Sequence, residues 1–110
     1  VNDEKYLDMA TAISGGGPAY VFMIIESLID AGVHMGLARD VSQELVVDTL
    51  LGSAFLYRKS GKHPAELKNM VTSPGGTTAE ALLMLEKAGL RGILIGAVLE
   101  AYKKAQDLGK

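Results

Sequence analysis

Seven consecutive residues, Thr72-Ser73-Pro74-Gly75-Gly76-Thr77-Thr78, concentrate the chemistry this chain can offer. A proline, two glycines and four hydroxyl side chains fall together just where an apolar, helix-patterned stretch begins. The first-turn N–H groups of a helix lack intrahelical acceptors, and the helix dipole adds positive potential at the same end. Backbone donors and hydroxyls gathered there make a seat for a small anion, either a carboxylate or a phosphate. A plain capped helix start would use Thr77 or Thr78 on the same N–H groups. The two uses are compatible, because a cap site is where an anion would dock.

The other chemistry-bearing residues point to blander roles. Ser14-Gly15-Gly16-Gly17-Pro18 looks like a phosphate loop but lacks the P-loop lysine and a preceding buried strand, so it reads as a tight turn. His34 and His63 are the only histidines, and neither has a neighbour at metal-ligand spacing, so no metal site is expected. His63, before Pro64, reads as a surface residue at a helix start. Ser73 has no Gly-x-Ser-x-Gly surroundings and no identifiable base, which disfavours covalent catalysis. Glu26 and Asp30, four apart, read as a solvated helix face.

The elements that must position the motif are helical. Asp3 suits the cap of an amphipathic stretch through Ile13, followed by a break at Ser14–Pro18, with Pro18 in the first turn of the next helix. Tyr20/Val21, Ile24/Ile25, Leu28/Ile29 and Ala31/Gly32 then recur at three-to-four-residue spacing up to Gly36. Asp40 is the expected cap of a third helix, ended by Ser60-Gly61-Lys62. His63-Pro64 opens a short helix, Ala65–Met70, that delivers the chain to the motif. Beyond it lie a helix ended at Ala88-Gly89 and a last one from about Arg91 to Leu108. No strand alternation persists, so the expected fold class is all-α.

Composition sets the outer bounds. The 110 residues suit one domain able to bury a core, and their apolar content argues against disorder. A net charge of −2 offers no basic footprint for nucleic acid. Cysteine is absent, which removes disulfides and thiolate metal sites and is compatible with a reducing cytoplasm. The acidic start does not read as a signal peptide, and the most apolar stretch, Ala19–Ile29, reads as broken by Glu26 and too short for a bilayer, so no membrane partner is expected. The opening residues lack an initiator methionine, which reads as a chain excised from something longer. The helix after Pro18 and the segment Leu90–Ala101 are apolar on several faces, and Gly92 and Gly96 could permit close helix crossing. Packing within one domain and completion of the core by a second copy both fit that pattern.

Taken in order, Ala10–Phe22 with its Ser14-Gly15-Gly16-Gly17-Pro18-Ala19-Tyr20 core, Ala31-Gly32-Val33, Gly36-Leu37, His63-Pro64-Ala65-Glu66-Leu67-Lys68 and Val71–Thr78 closely resemble the C-terminal domain of pyrroline-5-carboxylate reductases. The similarity runs from about Leu7 to Ala101, and Ser-Pro-Gly-Gly-Thr-Thr is its most distinctive segment. The resemblance implies an all-α dimerisation domain of the 6-phosphogluconate dehydrogenase C-terminal type, interlocked with a partner subunit. It makes residues 1–110 the helical, substrate-binding half, with an upstream Rossmann domain absent from this chain. It implies reduction of 1-pyrroline-5-carboxylate to L-proline with NADPH or NADH in the cytoplasm, the cofactor being held mainly by that missing half. A homodimer or a higher homo-oligomer follows. The fragment alone should be inactive.

On the same resemblance, Ser73 and backbone N–H groups around Gly75, Gly76, Thr77 and Thr78 hold the substrate carboxylate, and Val71 lines the pocket. The Thr78 hydroxyl matches the catalytic position that hydrogen-bonds the ring nitrogen. Gly16 departs from a family that often has serine or asparagine there. A related imine or keto-acid reductase is the competing enzyme reading. A stand-alone helical oligomerisation module that keeps the loop without chemistry is the competing non-enzyme one.

Overall fold

The computed structural model describes Asp3–Gly109, and every regular element among those residues is helical. In chain order they are α1 (Asp3–Ala10), a π-helical turn (Thr11–Gly15), α2 (Gly17–Met35), α3 (Arg39–Ser60), α4 (Pro64–Met70), α5 (Thr77–Ala88) and α6 (Leu90–Leu108). Two compact units result. One gathers the described residues up to Phe22 and from Leu83 onward, and the other is Met23–Leu82.

In the first unit α6 packs against α1 and the π-turn. Asp3 and Glu4 lie in the first turn of α1, where carboxylates complement the helix dipole. Asp3 is thus already helical, and the residue before it lies outside the described ones. The break expected at Ser14–Pro18 is not a loop. The chain stays helical through it by widening: the Gly16 N–H reaches five residues back to the Thr11 carbonyl at 3.0 Å. The Tyr20 hydroxyl supplies a further donor, to the carbonyl of the buried Ala12, at 3.1 Å. Glycines and a proline lower helix propensity, but the π-turn bond and the tyrosine donor keep the Thr11 and Ala12 carbonyls before them bonded. The whole run Asp3–Met35 is consequently 33 residues, long and apolar enough to cross a membrane by length and composition alone. The shorter span read from the sequence, Ala19–Ile29, underestimates it.

In the second unit α2 and α3 meet at a close crossing. A Schellman ending closes α2: Gly36 (φ +111°) donates to Val33 and Leu37 to Gly32, both at 3.0 Å. The cap of α3 is Ala38, in extended conformation and without a side-chain bond, and not Asp40. The Schellman turn lets α3 begin at Arg39, which leaves Asp40 inside the first turn, where its charge still suits the dipole. Ser42, only 1% exposed, donates its hydroxyl to the Ile29 carbonyl across the crossing at 2.9 Å. Gly32 faces it, also buried. Left-handed Gly61 ends α3, as expected.

Only Ala12, Gly32 and Ser42 are buried among the described residues. Phe22 (66%), Phe55 (65%) and Ile93 (63%) stand open to solvent. The core expected from the composition is not closed within this chain.

Candidate functional site

The motif lies within Met23–Leu82, between α4 and α5. It begins with a lock. The Thr72 hydroxyl donates to the Lys68 carbonyl at 2.6 Å, and the Thr72 N–H donates to Asn69 at 3.2 Å, so the chain leaves α4 in a set direction. The Gly76 N–H then closes a four-residue turn on the Ser73 carbonyl at 3.0 Å. Pro74 at the second position and Gly75 at the third, with φ +67°, are the residues a type II turn requires. Gly76 is confined as well, since an added Cβ would lie 3.2 Å from the Ser73 carbonyl oxygen and 3.3 Å from its Cβ.

Gly76 also starts α5, its carbonyl accepting from Glu80 at 3.3 Å. Thr77, Thr78 and Ala79 follow as the first three helical positions, whose N–H groups have no acceptor within a helix. The hydroxyls of Ser73, Thr77 and Thr78 are exposed and bond to nothing among the described residues. Neither threonine folds back to cap α5. Val71, 65% exposed, stands at the end of α4 as an uncovered apolar wall.

The electrostatics are mixed. The start of a 12-residue helix favours an anion, while Glu80, in its first turn, competes for the same positive end. The arrangement suits a small carboxylate held by oriented neutral donors.

The structure thus brings Val71, Ser73, Gly75, Gly76, Thr77 and Thr78 into one segment of turn and helix start. It changes one role. The Gly76 N–H is occupied by the turn, which moves the available backbone donors on to Thr77, Thr78 and Ala79. Two features escaped the sequence reading: the Ala79 N–H and the bond of the Thr72 hydroxyl back to Lys68. The second was findable, because a threonine four residues after Lys68 is placed to bond its carbonyl. Asp30 pairs with Arg39 at 3.1 Å on an exposed surface, which fits the solvated-face reading of Glu26 and Asp30. A separate groove of about 710 Å³, lined by Ala54, Phe55, Tyr57, Arg58, Gly61 and Lys62, shares no residue with the motif.

The profile of the pyrroline-5-carboxylate reductase dimerisation family matches residues 4–108. The chain belongs to that family. Among curated pyrroline-5-carboxylate reductases, that of Synechocystis is 49% identical over 107 residues, covering 97% of this chain and 40% of the relative. That of Glycine max is 50% identical over 106 residues, covering 96% and 39%. The chain therefore spans about two fifths of the length of these curated family members. Among solved structures, the Plasmodium falciparum pyrroline carboxylate reductase with NADP bound superposes with a TM-score of 0.95 at 45% identity, covering all of this chain and 44% of that one. The Coxiella burnetii pyrroline-5-carboxylate reductase gives 0.94 at 37% identity, covering all of this chain and 41% of that one. The all-α dimerisation-domain fold of the family is this chain's fold.

Proposed function

We propose that this chain is the dimer-forming and substrate-carboxylate-binding part of an oxidoreductase that reduces 1-pyrroline-5-carboxylate to L-proline with NADPH or NADH. The observation that carries the reading is the start of α5: free N–H groups at Thr77, Thr78 and Ala79 beside unbonded hydroxyls at Ser73, Thr77 and Thr78. Ser73 and these N–H groups hold the carboxylate. Val71 supplies an apolar wall for the ring. Thr78 faces the ring nitrogen, orienting the imine and placing a hydroxyl proton beside it.

Every regular element among the described residues is helical, without the strand-to-helix glycine turn of a dinucleotide-binding fold. The nicotinamide, when bound by residues outside this chain, supplies the hydride. What this segment contributes is position: a substrate held at its carboxylate and its nitrogen has lost most of its freedom to misalign.

Dimerisation is supported by surface area. The chain exposes 8775 Å², against about 5,800 Å² for a compact monomer of its mass. The excess, about 3,000 Å² per chain or about 6,000 Å² for two, reaches the upper end of what obligate homodimers bury in total. In this reading the open apolar faces of α2, α3 and α6 are covered by a second copy, and the long run Asp3–Met35 lies against protein and not lipid. We place the reaction in the cytoplasm, in keeping with a cysteine-free chain.

The test is turnover by the full-length enzyme carrying this domain. NAD(P)H oxidation is followed with 1-pyrroline-5-carboxylate and with its six-membered homologue. Preference for the five-membered ring supports the reading, and preference for the homologue transfers it to a related imine reductase. Turnover of neither refutes it.

A further inference from the structure

α4 is seven residues long, and none of them is buried. A helix of that length does not persist by itself, because nucleation is unfavourable and few bonds follow it. Its order therefore rests on its ends. At the N-terminal end His63 is extended (φ −64°, ψ 141°) and its Nδ1 accepts the Ala65 N–H at 3.1 Å. The His63 carbonyl accepts from Glu66 at 3.0 Å and from Leu67 at 3.2 Å, while Pro64 has no N–H to satisfy. Every first-turn donor of α4 is thus answered by His63 alone. An imidazole nitrogen does here what a Ser, Asn or Asp oxygen does at an ordinary cap.

At the other end, Val71 donates to the Lys68 carbonyl at 3.3 Å, and the same carbonyl takes the Thr72 hydroxyl at 2.6 Å. The residue that enters the Ser73–Gly76 turn is therefore tied to the last carbonyls of α4. If α4 frays, Lys68 and Asn69 no longer present those acceptors in register, and Val71 and Ser73 lose their fixed placement.

We propose that His63 is a positioning residue for the carboxylate seat, acting through α4: its Nδ1 caps the helix, and the helix holds Val71 and Thr72 so that Ser73 is set. The inference rests on the reductase reading above. Substrate binds the ordered form, so loss of the cap divides the binding-competent fraction and raises the apparent dissociation constant, while saturating substrate restores order.

The experiment compares the full-length enzyme with its His63→Ala, His63→Asn and His63→Ser variants. His63→Ala should raise KM for 1-pyrroline-5-carboxylate two- to fivefold with kcat changed less than about twofold, a fivefold change being about 1 kcal/mol at 1.4 kcal/mol per tenfold. Asparagine and serine, which also cap, should return KM to near the parent value. In the ligand-free enzyme, amide exchange at Ala65, Leu67 and Thr72 should speed up in His63→Ala and not in His63→Asn. An unchanged KM and unchanged exchange in His63→Ala overturns the proposal. So does a fall in kcat that asparagine fails to rescue, which would put the imidazole in the reaction itself. If His63→Ala does not fold, a KM in His63→Asn that departs from the parent's decides against it, and a matching KM decides for it. If the parent turns over neither imine, the reductase reading fails by itself, and the exchange comparison still decides the cap.

Discussion

Replacing Gly32 by alanine adds one methyl group at the crossing of α2 and α3, and that methyl has nowhere to go. Its carbon would fall on the Ser42 hydroxyl, 2.9 Å from the Ser42 Cβ and 3.4 Å from Leu37 Cδ1. Rotating the hydroxyl away is not enough, because the Cβ contact remains and the hydroxyl would leave the Ile29 carbonyl it bonds at 2.9 Å. Ser42 is 1% exposed, so no water replaces that acceptor. Overpacking costs about 1–3 kcal/mol, and a buried hydroxyl left unpaired about 1–3 kcal/mol more. Alanine returns about 1 kcal/mol through its better helix propensity. The net expected loss is about 1–5 kcal/mol, centred near 3. Urea denaturation followed by circular dichroism, at one fixed protein concentration, measures it. The decisive comparison is the swap Gly32→Ala/Ser42→Gly, which moves the small residue to the other helix and reopens the space. Ser42→Gly alone gives up one hydrogen bond and some propensity, so the double variant should be more stable than Gly32→Ala by about 1–2 kcal/mol. If Gly32→Ala is as stable as the parent, or if the two losses simply add, the crossing is not held by this contact.

In the full-length enzyme, Thr78→Ala should lower turnover at least tenfold while shifting the unfolding midpoint little, since its hydroxyl bonds to nothing among the described residues; parallel kinetics and thermal denaturation check both halves, and unchanged kinetics would remove Thr78 from the reaction. Gly75→Ala forces alanine into φ +67° and should cost about 1–2 kcal/mol of turn stability, read as a raised KM, whereas Gly75→Asn, which tolerates that conformation, should cost less. Ser73→Ala should raise KM for substrates bearing the carboxylate more than it lowers kcat, about ten- to a hundredfold for a lost charge-assisted bond. Sedimentation of this domain alone at micromolar concentration should show a dimer, and a stable monomer would contradict the area argument.

The residues that set each helix end were legible because they act over three to five positions. Gly36, Gly61 and Gly89 stop α2, α3 and α5 with positive φ, which glycine alone adopts without strain. The same locality makes Ser73-Pro74-Gly75-Gly76 readable as a turn opening a helix. Asp40 shows the limit of that reading: it has the right side chain for a cap, but the Schellman turn before it moved the boundary to Ala38.

What a one-dimensional reading determined was therefore the helices, their stops and the segment that can hold an anion, because each is written in neighbours a few residues apart. The pairing of Gly32 with Ser42 joins positions ten apart on different helices, and no period announces it. The Tyr20 hydroxyl reaches the Ala12 carbonyl in the π-turn, eight residues back, a contact helix propensity cannot anticipate. The occupied Gly76 N–H likewise emerges only when the turn closes in space, and it shifts the anion's donors along α5. Apolar patterning showed which faces must be covered. Only the folded chain, with three buried residues among those described, showed that it does not cover them by itself.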